Sequence, residues 1–197
     1  MIDHVRLYAE PSPAPAPLRR IQRLAAPFDY GFLGLAGLTA LFAVAVFIAA
    51  WLPGGHVRFA AQGGAIALDP TTFPPDYQPI AAFSPGLLLA GSMVFIIVYA
   101  SLASGLYALH RLFRAYREGR VFEAEPIALM RKAGAALAIF AAAPGVAQPG
   151  LRALGSPDRN WFHGETLPLL LIGAGLFVFA HIIELGREIE LENKGFI

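Results

Sequence analysis

The chain has 197 residues, an apolar fraction of 56%, a charged fraction of 15% and a mean hydropathy of +0.56. Soluble domains carry about 25% charge, so this composition points to a bilayer rather than to water. The net charge of +1 provides no basic excess for direct nucleic-acid binding. The absence of cysteine excludes disulfides, thiolate metal sites and a cysteine nucleophile.

Residues 1–26 read as a cytoplasmic arm. Pro11, Pro13, Pro15 and Pro17 alternate with small residues, which favours an extended polyproline II spacer. Arg19, Arg20 and Arg23 then suit a surface-lying segment whose cations snorkel at the entry to the first span. Residues 27–197 read as a membrane domain. A hydrocarbon core of about 30 Å needs about 20 apolar helical residues. Residues 31–52, 86–109 and 166–183 meet that need. A further stretch, 133–151, is uncharged but alanine-rich and interrupted by Pro144, Gly145, Pro149 and Gly150. Such breaks are tolerated where neighbouring helices satisfy the freed backbone groups. It is therefore taken as the third of four spans.

The loops distribute charge unequally. Arg6, Arg19, Arg20 and Arg23, the six cations between Arg111 and Lys132, and Arg187 and Lys194 all fall on one side of a four-span chain. Only Arg58, Arg152 and Arg159 fall on the other. The positive-inside rule then places both termini in the cytoplasm. The expected fold class is an all-α membrane protein, a four-transmembrane-helix bundle with a small extracytoplasmic β-hairpin loop, N-in and C-in.

The hairpin is expected in residues 53–84. Val57, Phe59 and Ala61 alternate before Gly63-Gly64, and Ile66 and Leu68 alternate after it, so the two glycines read as the turn. The prolines from Pro70 to Pro85 then predict an irregular strap over the outer helix ends. In the second outer loop, Trp161 and Phe162 suit the membrane interface. On the cytoplasmic side Leu109, Leu112, Phe113 and Tyr116 share one helix face, so the second span continues beyond the bilayer. Gly119 is placed to end it, and Pro126 suits the first turn of the next helix. Close helix approach is expected at the small-residue pairs Ala36–Ala40, Ser101–Gly105, Gly134–Ala138 and Ala138–Ala142.

Ionisable residues inside spans mark transport or proton relay. By this reading the spans hold only His181, three residues before Glu184, and one such pair is too few ligands for a metal. The outer residues His56, Asp69, Asp76, Asp158 and His163 have no diagnostic spacing. There is no GxSxG, Walker loop, GxGxxG or HExxH. The chain is expected to be non-enzymatic, with no catalytic residue, no metal site and no cofactor.

Two cytoplasmic segments of opposite charge remain. From Arg111 to Lys132 the net charge is +3, and from Glu184 to Ile197 it is −2. The acidic tail is expected to fold along the basic loop, unless the loop instead faces anionic membrane lipids. These same segments, YREGRVFEAEPIALMRKAG and AHIIELGREIELENKGFI, resemble the bacterial domain of unknown function 2975 family of small four-span inner-membrane proteins. Gly119, Phe122, Arg131 and Gly134 fit the first pattern, and Gly186, Glu190, Glu192 and Asn193 the second. Pro126 stands where that family often has Asn. The resemblance implies a bacterial inner (cytoplasmic) membrane location without established activity. It also implies a membrane partner for a small helix-turn-helix DNA-binding regulator. Candidate partner-binding residues are Arg111, Arg114, Arg117, Gly119, Phe122, Arg131, Glu188, Glu190, Glu192 and Asn193. The alternatives are a small-molecule or lipid transporter subunit and a structural accessory subunit of a larger membrane complex.

Overall fold

The computed structural model describes residues 16–52, 55–61, 63–120, 123–158 and 166–194. Four long helices carry the chain: α1 (Ala16–Trp51), α2 (Pro85–Arg117), α3 (Ala124–Ala153) and α4 (Thr166–Lys194). All four are long and apolar enough to cross a membrane. A helix of 36 residues such as α1 is about 54 Å long, well over the hydrocarbon thickness, so these helices project beyond it. Residues 16–26, read above as part of the arm, are helical and continuous with the first span; Pro27 lies inside α1 rather than before it. Residues 1–15 lie outside the described residues, as do Phe122, Trp161, Phe162 and His163.

Helices pack in sequence order, α1 on α2, α2 on α3 and α3 on α4. The arrangement is a row of antiparallel neighbours, and α1 and α3 are not packed against each other along their lengths. This order explains the weak third span. Mean hydropathy in the most apolar window is 1.4 for α3, against 2.4, 2.2 and 2.1 for α1, α2 and α4. In α3, 44% of that window is buried, against 6%, 6% and 11% in the others. A helix shielded by protein on two sides needs less lipophilicity than one facing lipid. Pro144 and Pro149 both lie within α3, where they cannot donate to the carbonyls four residues back.

Small residues set the helix approaches. A Cβ on Gly134 would stand 2.6 Å from the Gly173 carbonyl oxygen, and one on Gly173 would stand 2.8 Å from that of Gly134. The α3–α4 crossing thus rests on two facing glycines, with the Ala138 amide beside them. Gly105 meets Ala136 in the same manner between α2 and α3, whereas Ala40 and Ala142 are exposed. The hydrophobic core lies towards the end of α2 and the start of α3. Ala108, Leu112, Ile127, Leu129, Met130, Ala133 and Ala180 are buried there, with Leu109 and Tyr116 packed against them.

At the opposite end, β1 (Val57–Ala60), β2 (Gly63–Ile66) and β3 (Gln78–Pro79) form a sheet ordered β2-β1-β3. The hairpin is present, but its turn is not Gly63-Gly64. Ala60 pairs with Gly63 and Phe59 with Gly64, so both glycines belong to β2. Gly64 lies opposite Phe59, and a Cβ there would come within 2.7 Å of the Phe59 ring. The glycine signal therefore records room for an aromatic ring rather than a turn. The strap contains 3-10 turns at Pro70–Thr72 and Ile80–Ala82, and Pro79 occupies an edge strand, where a missing donor is tolerated.

Candidate functional site

The helix ends at the α2–α3 loop gather most of the charge. Gly119, with φ of 85°, ends α2 in a Schellman motif. The Arg120 amide donates to the Ala115 carbonyl at 2.9 Å and the Gly119 amide to that of Tyr116 at 3.1 Å. The loop is then tied down by ions. Arg111 Nη2 lies 2.5 Å from Glu125 Oε1, and Arg120 reaches Glu125 at 2.5 Å, Glu118 at 2.6 Å and Glu123 at 3.6 Å. Arg114 donates to Glu118 at 3.1 Å. Arg111, Arg114 and Arg120 thus meet the three loop acids within the chain, and the net +3 that remains is offset in part by Asp29 on Arg117 and Glu184 on Arg131. Hydrogen bonds from Arg120 and then Arg114 hold the Glu118 carboxyl below its ordinary value of 4.5. The sign follows: these bonds are complete above that value and are lost as pH falls through the depressed one. Protection of the amides of residues 117–120 and 123–125, taken relative to the intrinsic exchange rate at each pH, is expected to hold at pH 5–7 and to fall at pH below the ordinary carboxylate range, with Glu118→Gln lowering it throughout.

The acidic tail meets the basic loop at one described point. Arg131 of α3 donates to Glu184 of α4 at 3.0 Å. His181 lies 3.8 Å from the same carboxylate and is largely exposed. Glu188 is exposed. The side chains of Glu190, Glu192 and Asn193 lie outside the described residues.

A buried ionic cluster departs from the sequence reading. Asp29 of α1 is 1% exposed, and its carboxylate stands between His110 and Arg117 of α2. Asp29 Oδ2 is 3.0 Å from Arg117 Nη1, and Oδ1 is 2.7 Å from His110 Nδ1. That nitrogen is also 3.0 Å from the Asp29 backbone carbonyl. The carbonyl has the hydrogen-bond geometry, which assigns the Nδ1–H tautomer, and Oδ1 receives no hydrogen bond despite its proximity. Arg117 also donates to the Tyr30 hydroxyl at 2.8 Å and lies 5.2 Å from the centre of that ring. Phe28, Phe32 and Phe113 stack beside the cluster, with Phe113 5.1 Å and 5.5 Å from the other two rings.

The sequence reading took no account of this cluster, which lies just beyond the apolar runs. Asp29 and His110 both lie in helices long enough to cross, one to two residues outside the apolar runs. Their depth explains why burial is tolerated. Asp29 is about 33 Å along α1 from Trp51, at 1.5 Å per residue, which is roughly one hydrocarbon thickness. The cluster thus lies about one hydrocarbon thickness from the far end of α1, and Arg117 keeps 32% of its side chain exposed. A usable signal was present in the sequence. His110 and Arg117 are seven residues apart, two helical turns on one face, and in an antiparallel pair they meet the start of α1.

The outer candidates are largely occupied in local structure. His56 Nδ1 pairs with the Ala67 carbonyl at 3.2 Å, and Asp69 caps the turn at Pro70–Thr72 by accepting from Thr71. Beneath the sheet lies a cavity of about 330 Å³. Phe47 and Trp51 of α1, Phe95 and Tyr99 of α2, and Phe59 and Phe83 of the outer segment supply six rings to its walls. Leu151 and the buried Gln148 of α3 close it, and Gln148 Nε2 donates to the Asp158 carbonyl at 2.7 Å.

The fold is that of a multi-pass helical membrane protein with a small sheet at one end. No family model matches the chain, and neither a curated protein nor a solved structure is found to be similar to it.

Proposed function

We propose that this chain is a non-enzymatic protein of a bacterial inner membrane, with both termini cytoplasmic, that presents a rigid cytoplasmic face to a protein partner. The observation carrying this reading is the preorganised α2–α3 loop. Five arginine–glutamate contacts and a Schellman motif hold it, and Arg131–Glu184 joins it to α4. A surface ordered before binding loses less entropy when a partner docks. Twelve of fifteen cations on one side of the spans support the orientation. The resemblance of residues 116–134 and 180–197 to the domain of unknown function 2975 family supports a small helix-turn-helix regulator as the partner, by analogy.

Affinity capture of the full chain from detergent tests this. Recovery of a small DNA-binding protein, lost with Arg114→Glu or Glu188→Lys, is expected. Arg114 and Glu188 are exposed, whereas Arg117 contacts buried Asp29 and would confound the comparison. Undiminished recovery with both substitutions would exclude this face. Recovery of large membrane-complex subunits alone would favour the accessory-subunit role.

A further inference from the structure

We propose that the cavity beneath the outer sheet is a binding site for a single hydrocarbon chain of an amphiphile, entering sideways from the adjacent bilayer leaflet. Its volume of about 330 Å³ falls in the range of small-molecule sites, about 300–1,000 Å³. Its walls specify an apolar occupant. Six aromatic rings and the aliphatic side chains of Val46, Leu87, Leu88, Val94, Val98 and Leu151 dominate the described lining, and Ser92, Ser156 and Asp158 join Gln148 as its polar members. The one deep amide, Gln148, donates to the Asp158 carbonyl. Apolar cavities of this kind stay dry and take up hydrocarbons.

Access distinguishes a membrane chain from a solute arriving through water. The sheet and strap cover one end through Val57, Phe59, Ile80 and Phe83. The long walls are α1, α2 and α3, but α1 and α3 do not pack along each other, so the wedge between them opens towards lipid. Leu41, Val44 and Ile48 on α1 and Val146 on α3 are exposed large apolar residues, as expected of helix surfaces that face lipid. Gly91 thins the α2 floor: a Cβ there would meet nothing within 4 Å. The leaflet is the outer one if the termini are cytoplasmic, as proposed above. Reversed orientation would change the leaflet and leave the site intact.

The test uses the full chain, purified and delipidated in detergent, with cis-parinaric acid as the fluorescent chain. Saturable binding of one molecule per chain is expected, displaced by oleate and by a lysophospholipid. Gly91→Phe, at a position where an added Cβ would meet nothing within 4 Å, fills the cavity from the floor and should weaken binding about tenfold or more. Val98→Phe, filling it two turns further along α2, should act in the same direction. Leu89→Phe, on an exposed face of the same helix, should leave binding unchanged. Thermal unfolding in detergent confirms that each variant is folded. Unsaturable binding, or equal affinity in wild type and both filled variants, would overturn the proposal. Displacement by oleate but not by lysophospholipid would reassign the occupant to a free fatty acid.

Discussion

Asp29→Ala is expected to destabilise the docking of α1 on α2 by about 3 kcal/mol, the lower end of the cost of breaking a buried ion pair. The lower end applies because Arg117 retains access to water and can withdraw its charge towards the interface. Arg117→Met is expected to be worse than Asp29→Ala. It strands a carboxylate that is 2% exposed with an imidazole as its one remaining neighbour on α2. The double variant Asp29→Leu, Arg117→Met removes both charges and should recover most of the loss, since well-packed apolar replacements of buried pairs are often neutral. Reversible unfolding in mixed micelles, arranged as a double-mutant cycle, measures the coupling. Additive losses would show that Asp29 and Arg117 do not act as a pair.

The second large effect is expected at the α3–α4 crossing. Gly134→Leu introduces a side chain where even a Cβ would lie 2.6 Å from the Gly173 carbonyl and 3.2 Å from the Phe177 amide. Backbone atoms cannot rotate aside, so the helices must separate. Overpacking of this kind costs about 1–3 kcal/mol, and more where backbone must move. The chain has no cysteine, so Arg131→Cys with Glu184→Cys creates a clean crosslinking pair across the same helices. Crosslinking with a short bismaleimide, which spans the length of an arginine–glutamate pair where a disulfide does not, should be efficient with Gly134 and strongly reduced with Gly134→Leu. Unchanged crosslinking would mean that the facing glycines do not set the helix separation.

The sequence reading and the structure agree most closely where an element depends on its own residues. Long uncharged runs need only their own composition to enter a bilayer, and four helices of the required length and apolarity occur in the expected places. Gly119 ends α2 as expected, because a C′ glycine acts within one turn. Disagreement begins where a residue's role is set by another element. Gly63-Gly64 has the local signature of a turn, but Gly64 is fixed by the Phe59 ring across the strand pair. Asp29 was not recognised because its partners lie 81 and 88 positions away on the returning helix. The basic α2–α3 segment has a net charge of +3 in sequence, yet Arg117 and Arg131 are paired with Asp29 and Glu184 from other helices. Net charge over a window does not register pairings with residues outside it.

The central place of α3 bears on how the chain reaches its membrane form. This helix is the least able to leave the insertion machinery for lipid by itself, and its two prolines add to that reluctance. Its low hydropathy is matched by the protein surfaces of α2 and α4 on either side. One of those neighbours is synthesised before it and the other after it. Biogenesis therefore has a natural checkpoint: α3 emerges with half of its shelter in place and becomes stably integrated when α4 arrives and Gly173 meets Gly134.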